Sequence, residues 1–275
     1  MSAPLSRLSL NQATIPAWSL PDAIDGCARA GVPAIGLWRE PVAEYGLAKA
    51  AKKVRDAGLR VTSLCRGGFF THSDERSRRT ARTSNRRAVD EAAALGADVL
   101  VLVCGGVPDG TRDLDGARRQ IRDGIEDLVP YAREHGVRLG VEPLHPMFCS
   151  DRSAVVTLDQ AVDLAAAFPE PDVGVVVDAY NVWWDPRVYA AIARASGRIA
   201  IFQVSDWITP LPADVLHGRG MPGDGCIDLR RIRAAVDAAR YTGSIEVEIF
   251  NHALGARPGD DVLDLVVERY VRHLA

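Results

Sequence analysis

Residues 137–145 read VRLGVEPLH, 173–180 read VGVVVDAY, 199–207 read IAIFQVSDW and 243–250 read GSIEVEIF. Each is a β-branched run that finishes on an oxygen-bearing side chain: Glu142, Asp178, Gln203 and Glu248. Strand side chains alternate between faces, so each of these four points the same way as the residue two places earlier. Glu142 then shares its face with Gly140, and Asp178 shares its face with Val176 and Gly174, whereas Val137, Leu139 and Val141 face outward. Small residues beneath polar tips suit a crowded barrel interior, with the branched residues packed against surrounding helices. Glu246 shares the parity of Glu248 one layer deeper and needs a partner there, for which Arg138 is the candidate.

Outward from these runs the chain repeats one unit. Strand-like segments recur at 7–11, 32–38, 59–65 and 97–104 before the four above. Between them lie helical patterns with apolar residues at three- and four-residue spacing, such as ARRQIRDGIEDLVPYAREH. Several close on a glycine just before the next strand, at Gly31, Gly58, Gly96 and Gly136, where the left-handed conformation ends a helix. Eight such units without a linker predict a single α/β domain over residues 1–275, a closed (β/α)8 barrel. A doubly wound open sheet is the alternative, but the first strand runs into NQATIP rather than a glycine-rich phosphate loop.

Composition excludes several classes. The formal net charge is −3, and the arginine-rich stretch 76–87 has the spacing of a solvated helix face, so no nucleic-acid partner is expected. The five cysteines form no C-x-x-C pair, which argues against a disulfide framework or a thiolate zinc site. The N-terminal MSAPLSRLSLNQATIP lacks the apolar stretch of a signal peptide and no run reaches membrane-spanning length, so a cytoplasmic protein is expected.

Three carboxylates and an amide oxygen converging at one barrel end would make a divalent-cation site, through Glu142, Asp178, Gln203 and Glu248. Oxygen-only ligands favour manganese or magnesium over zinc, with cobalt also open. A lone acidic residue at a strand end is ordinarily a helix cap, and Asp206 and Asp224 are read that way. Trp183, Trp184 and Trp38 follow strand ends and could stack on a sugar or cyclitol ring, with Phe69 and Phe70 covering the site. Arg66 and Arg152 lie in loops on the same side and could meet an anionic group.

With these motifs in hand, the chain resembles the sugar phosphate isomerase/epimerase superfamily of xylose-isomerase-like barrels, nearest to inosose isomerases. The likeness rests on NQAT, GGFF, VEPLHP, VVVDAYNVWWDP, FQVSDW, GRGMPGDGCIDL and VEIF in that order. It implies a metal held by Glu142, Asp178, the residue at Gln203, and Glu248, with Arg219 and Asn181 contacting substrate. This chain departs from the family pattern at Gln203 and at Asn181, where histidine is usual, and HPMFCSDRS lacks the second glutamate of the epimerases. The implied reaction is isomerisation or epimerisation of a sugar or cyclitol ketone, the cation polarising the carbonyl and stabilising an enediolate. Glu248 or a neighbouring carboxylate such as Glu142 would be the base, and His145 the second acid/base. A metal-assisted dehydratase or lyase using the same proton abstraction is the alternative; an endonuclease-like metal cluster would need more histidines, and a non-catalytic sugar-binding barrel is the remaining class. Metal identity, the exact substrate and any homo-oligomer are left open.

Overall fold

The computed structural model describes residues 4–275, and all eight expected strands are present. They are β1 (Leu8–Asn11), β2 (Ala34–Trp38), β3 (Arg60–Gly68), β4 (Val99–Val103), β5 (Arg138–Glu142), β6 (Val173–Asp178), β7 (Ile199–Val204) and β8 (Ile245–Val247). Each pairs in parallel with its sequence neighbours, and β8 pairs back onto β1, so the sheet closes. This is the (β/α)8 barrel expected from the alternation of strand and helix periods.

The glycines placed at helix ends do what their position requires: Gly31, Gly58, Gly96 and Gly136 all have φ between 64° and 69°. Arg76 to Arg87 lie on the helix Glu75–Leu95, most of them exposed, with Asn85 turned in to the backbone of Gly68. Among the described residues no helix is long and apolar enough to cross a membrane. All five cysteines are free.

The barrel interior divides into two halves. Towards β4, β6 and β7 it is apolar, built from Cys65, Val99, Val101, Val176 and Ile201. Gly140 makes room there, since a Cβ at that position would sit 2.7 Å from Val99 and 3.1 Å from Val176. Towards β1, β3 and β8 it is polar, holding the buried Ser9, Asn11, Thr62, Ser63, Gln203 and Glu246. Outside the strands, Leu8, Leu139, Val141, Val175, Phe202 and Val247 pack against the helical ring as the main core. The alternation read from VRLGVEP is therefore the alternation observed.

Candidate metal and active site

Strand register sets the site. Asp178 on β6 lies level with Gln203 on β7, and Gln203 lies level with Glu246 on β8, so Glu248 stands one step beyond, at the carboxyl-terminal rim. Glu142 ends β5 on the same rim. Carboxylate oxygens of Glu142, Asp178 and Glu248 come within 4.8 Å of one another, and all three side chains are buried. Burial pushes the carboxyl of Glu142 up to about 8, with Asp178 adding repulsion. Burial likewise raises Asp178 and, further, Glu248, although Arg219 opposes the rise in both.

Arg219 is the counter-charge in contact. Its Nη1 donates to Asp178 at 3.0 Å and to Glu248 at 3.3 Å, and its guanidinium lies between the rings of Tyr180 and Phe250. The resemblance implied a substrate contact for Arg219; in the structure this residue sits on two of the expected metal ligands and also lines the cavity. It takes that place because residues 219–220 pair with 206–207 in a short antiparallel ribbon over the barrel end, while Asn251 holds the Arg219 carbonyl.

The amide of Gln203 has two separate roles. Its Nε2 donates to Glu246 at 3.0 Å, and its Oε1 is buried with no hydrogen-bond partner. An unpartnered amide oxygen on the strand next to Asp178, together with three mutually repelling carboxylates, fits a divalent cation, which would bring these ionised groups together at lower cost. Three carboxylates, one guanidinium and one dication balance, so Arg219 removes the net negative charge otherwise expected of the ligand set. Asn181 braces the site by donating to Asp178 at 2.7 Å and to Glu142 at 3.2 Å.

Glu246 is solvated from within. It accepts from Asn11, Thr62, Ser63 and Gln203. Arg138 is not its partner: that guanidinium bonds the carbonyls of Glu170 and Gly197 at the opposite end of the barrel. Asn11, passed over in the sequence, spans the two layers by donating to Glu246 at 2.8 Å and Glu248 at 3.0 Å, while Trp38 donates to its Oδ1. Its position as the last residue of β1 was the available signal.

The cavity above these groups has a volume of about 180 Å³ and is lined by Trp38, Arg66, Glu142, Asn181, His217, Arg219 and Glu248, among others. Arg66 has no ion pair among the described residues and lies against the rings of Phe69 and Trp38. A larger cleft of about 430 Å³ lies alongside and shares Arg66; among the described residues the cluster of carboxylates reaches the smaller cavity and not this cleft.

Two expected residues lie elsewhere. His145 caps the turn Pro146–Phe148 by accepting from Met147 and packs against Trp184 and Trp207; burial lowers its basicity. Trp183 packs on Trp207 and does not line the cavity. The cavity histidine is His217, two residues before Arg219, and that adjacency was its sequence signal. Asp206 and Asp224 do not cap helices: Asp206 gathers the amides of Trp207, Gly223 and Ile227, and Asp224 accepts from Met221 and pairs with Arg269. Phe70 packs against the helix at Gly124, and Phe69 joins Val103, Leu144 and Phe148 beside the cavity.

A closed parallel barrel with polar residues on its carboxyl-terminal rim defines an enzyme-type scaffold. The chain belongs to the xylose isomerase-like TIM barrel family, which it matches over residues 24–267. It is 47% identical to protein SMc04130 from Sinorhizobium meliloti 1021, whose crystal structure superposes with a TM-score of 0.95 over 98% of both chains. The IOLI protein, solved with a bound zinc atom, shares 19% identity and a TM-score of 0.85 over 98% of both chains. A 3-dehydroshikimate dehydratase from Pseudomonas aeruginosa is 30% identical over 253 residues, 87% of this chain. The chain spans only 37% of that dehydratase's length.

Proposed function

We propose that this chain, acting as one barrel domain in the cytoplasm, is a divalent-metal-dependent isomerase or epimerase of a sugar or cyclitol ketone. The observation that carries the reading is the convergence of Glu142, Asp178 and Glu248, with Gln203, whose amide oxygen has no partner, level with Asp178 on the next strand. Those four residues would hold the cation, with manganese or magnesium favoured by an all-oxygen set and cobalt or zinc less suited. When bound, a dication supplies Lewis-acid polarisation of a substrate carbonyl and stabilises the charge that develops on enolisation.

The remaining work falls to the chain itself. Glu248, held at one oxygen by Asn11 and at the other by Arg219, is oriented to take the proton α to the carbonyl. Glu142, across the cavity from Glu248, lies within reach of the same substrate and is the neighbouring carboxylate that would share the proton transfer. Asn181 and Arg219 fix the two carboxylates relative to each other, and Trp38 offers an apolar wall for a ring. Arg66, free of carboxylate partners, is placed to meet an anionic substituent.

A second reading is dehydration after the same proton abstraction. The 30% identity to the Pseudomonas aeruginosa dehydratase favours it, and so does the lack of a second glutamate in residues 145–153. Incubation with keto-inositols, ketoses and keto-acids of cyclic polyols, with manganese in deuterium oxide, separates the two. Deuterium at the α-carbon of an isomer supports isomerisation. A product lighter by one water assigns the chain to the dehydratases. Absence of exchange with every ketone, despite bound metal, removes the enolisation reading.

A further inference from the structure

We propose that Asp214, His217 and His252 form a second metal site, on the rim of the barrel mouth, that takes a borderline transition-metal dication such as zinc. Asp214 and His217 lie in the long connection after β7, and His252 lies just after β8. His217 Nδ1 lies 2.7 Å from Asp214 Oδ2, and His252 Nε2 lies 3.3 Å from the same oxygen. The two imidazoles stack with centroids 3.9 Å apart at 19°. One donor atom from each of the three residues falls within a 4.8 Å group.

Zinc ligands at about 2.0–2.1 Å lie roughly 3.3 Å from one another, close to the His252–Asp214 separation and wider than the hydrogen-bonded His217–Asp214 pair. Binding would replace that hydrogen bond and turn the exposed His252 ring out of its stack on His217, so that both in-plane lone pairs meet one ion and a fourth position stays open. The chemistry of the donors sets the cation class. Two imidazoles with one carboxylate suit zinc, nickel or copper, whereas the barrel-axis site offers only oxygen and suits a harder ion. The chain would therefore sort two kinds of dication between two places. The rim residues remain open to solvent, with side-chain exposures of 53% for Asp214, 30% for His217 and 74% for His252.

The position also gives such a site a consequence. His217 lines the substrate cavity and meets Phe250 edge-on, and Phe250 in turn stacks on Arg219. A cation shared by His217 and His252 ties the connection after β7 to the segment after β8 across the mouth, next to the guanidinium that balances the carboxylates.

The test is equilibrium dialysis of chelator-stripped protein against zinc alone, comparing wild type, His252→Ala and Glu248→Gln. His252 is exposed, so its removal leaves the fold intact, and a thermal melt verifies this. The expected result is one zinc fewer per chain in His252→Ala than in wild type. Glu248→Gln should keep the rim zinc, which separates this site from the barrel-axis site. With cobalt as probe, the visible absorption of a site containing nitrogen donors should be present in Glu248→Gln and lost in His252→Ala. Equal zinc content in wild type and His252→Ala overturns the proposal, as does displacement of the rim zinc by excess magnesium.

Discussion

Glu246 and Glu248 lie two residues apart on the same strand end, point to the same side, and live in opposite surroundings. Glu246 is enclosed by neutral donors from Asn11, Thr62, Ser63 and Gln203, which replace its water shell hydrogen bond by hydrogen bond. Glu248 faces Glu142 and Asp178 across a cavity and has Arg219 as its counter-charge. The first arrangement is satisfied by hydrogen bonds; the second holds groups that repel each other unless a further cation arrives. One strand end thus carries a carboxylate enclosed by neutral donors and another set against two carboxylates, and the layer decides which is which.

Activity should break that pair apart most clearly. Glu248→Gln is expected to lower turnover by more than the about 10²–10⁴-fold that loss of a base alone costs, because a proposed metal ligand goes with it. In chelator the same variant should melt no lower than wild type, since a buried carboxylate under repulsion has been removed. Steady-state rates and thermal melts on one preparation check both halves, and an early melt would return Glu248 to the structural class.

Gln203→Ala sharpens the link between the layers, because one amide serves both. Manganese affinity measured by calorimetry should fall by about 10–100-fold, in the range lost when groups that hold or orient a metal site are removed. Unchanged affinity would mean that the Gln203 oxygen is not a ligand.

Glu246→Leu should act chiefly on stability. The amides of Asn11 and Gln203 would lose their acceptor, and each buried unsatisfied donor costs about 1–3 kcal/mol. Denaturant unfolding tests this, and a variant as stable as wild type would show that the inner layer does not depend on its carboxylate.

The pH dependence of the metal-stripped protein has a definite sign. Glu142 is raised in the fold from an ordinary 4.5 to about 8, so the native state binds more protons than the unfolded chain between those values. Its contribution to stability is whole below 4.5 and is lost as pH rises through about 8. Melting temperature in chelator should therefore fall across that window, and added manganese should restore most at the alkaline end. A flat profile would count against the repelling cluster. The smallest effect is expected for His145→Asn, whose rate loss should stay short of the about 10²–10⁴-fold cost of removing a general acid, because the imidazole is occupied capping a turn. A loss of that size in rate measurements would bring His145 back into the chemistry.

Much of the molecule was legible in the sequence because its signals are local. Strand parity, helix periodicity and closing glycines are properties of a few neighbouring residues, and they identified the eight strands, the barrel and the inward-facing strand-end positions of Glu142, Asp178 and Glu248, while Gln203 stands one layer deeper beside Glu246. What the tertiary structure decided concerns partners distant along the chain. Asn11 reaches Glu246 from 235 residues away and Arg219 reaches Asp178 from 41, so nothing in either stretch announces the contact. The choice of His217 over His145 for the cavity, and the solvation of Glu246 by hydroxyls and amides rather than by Arg138, follow from barrel closure. Closure sets which strand ends face one another, and buried charge is settled by whatever donors then stand opposite.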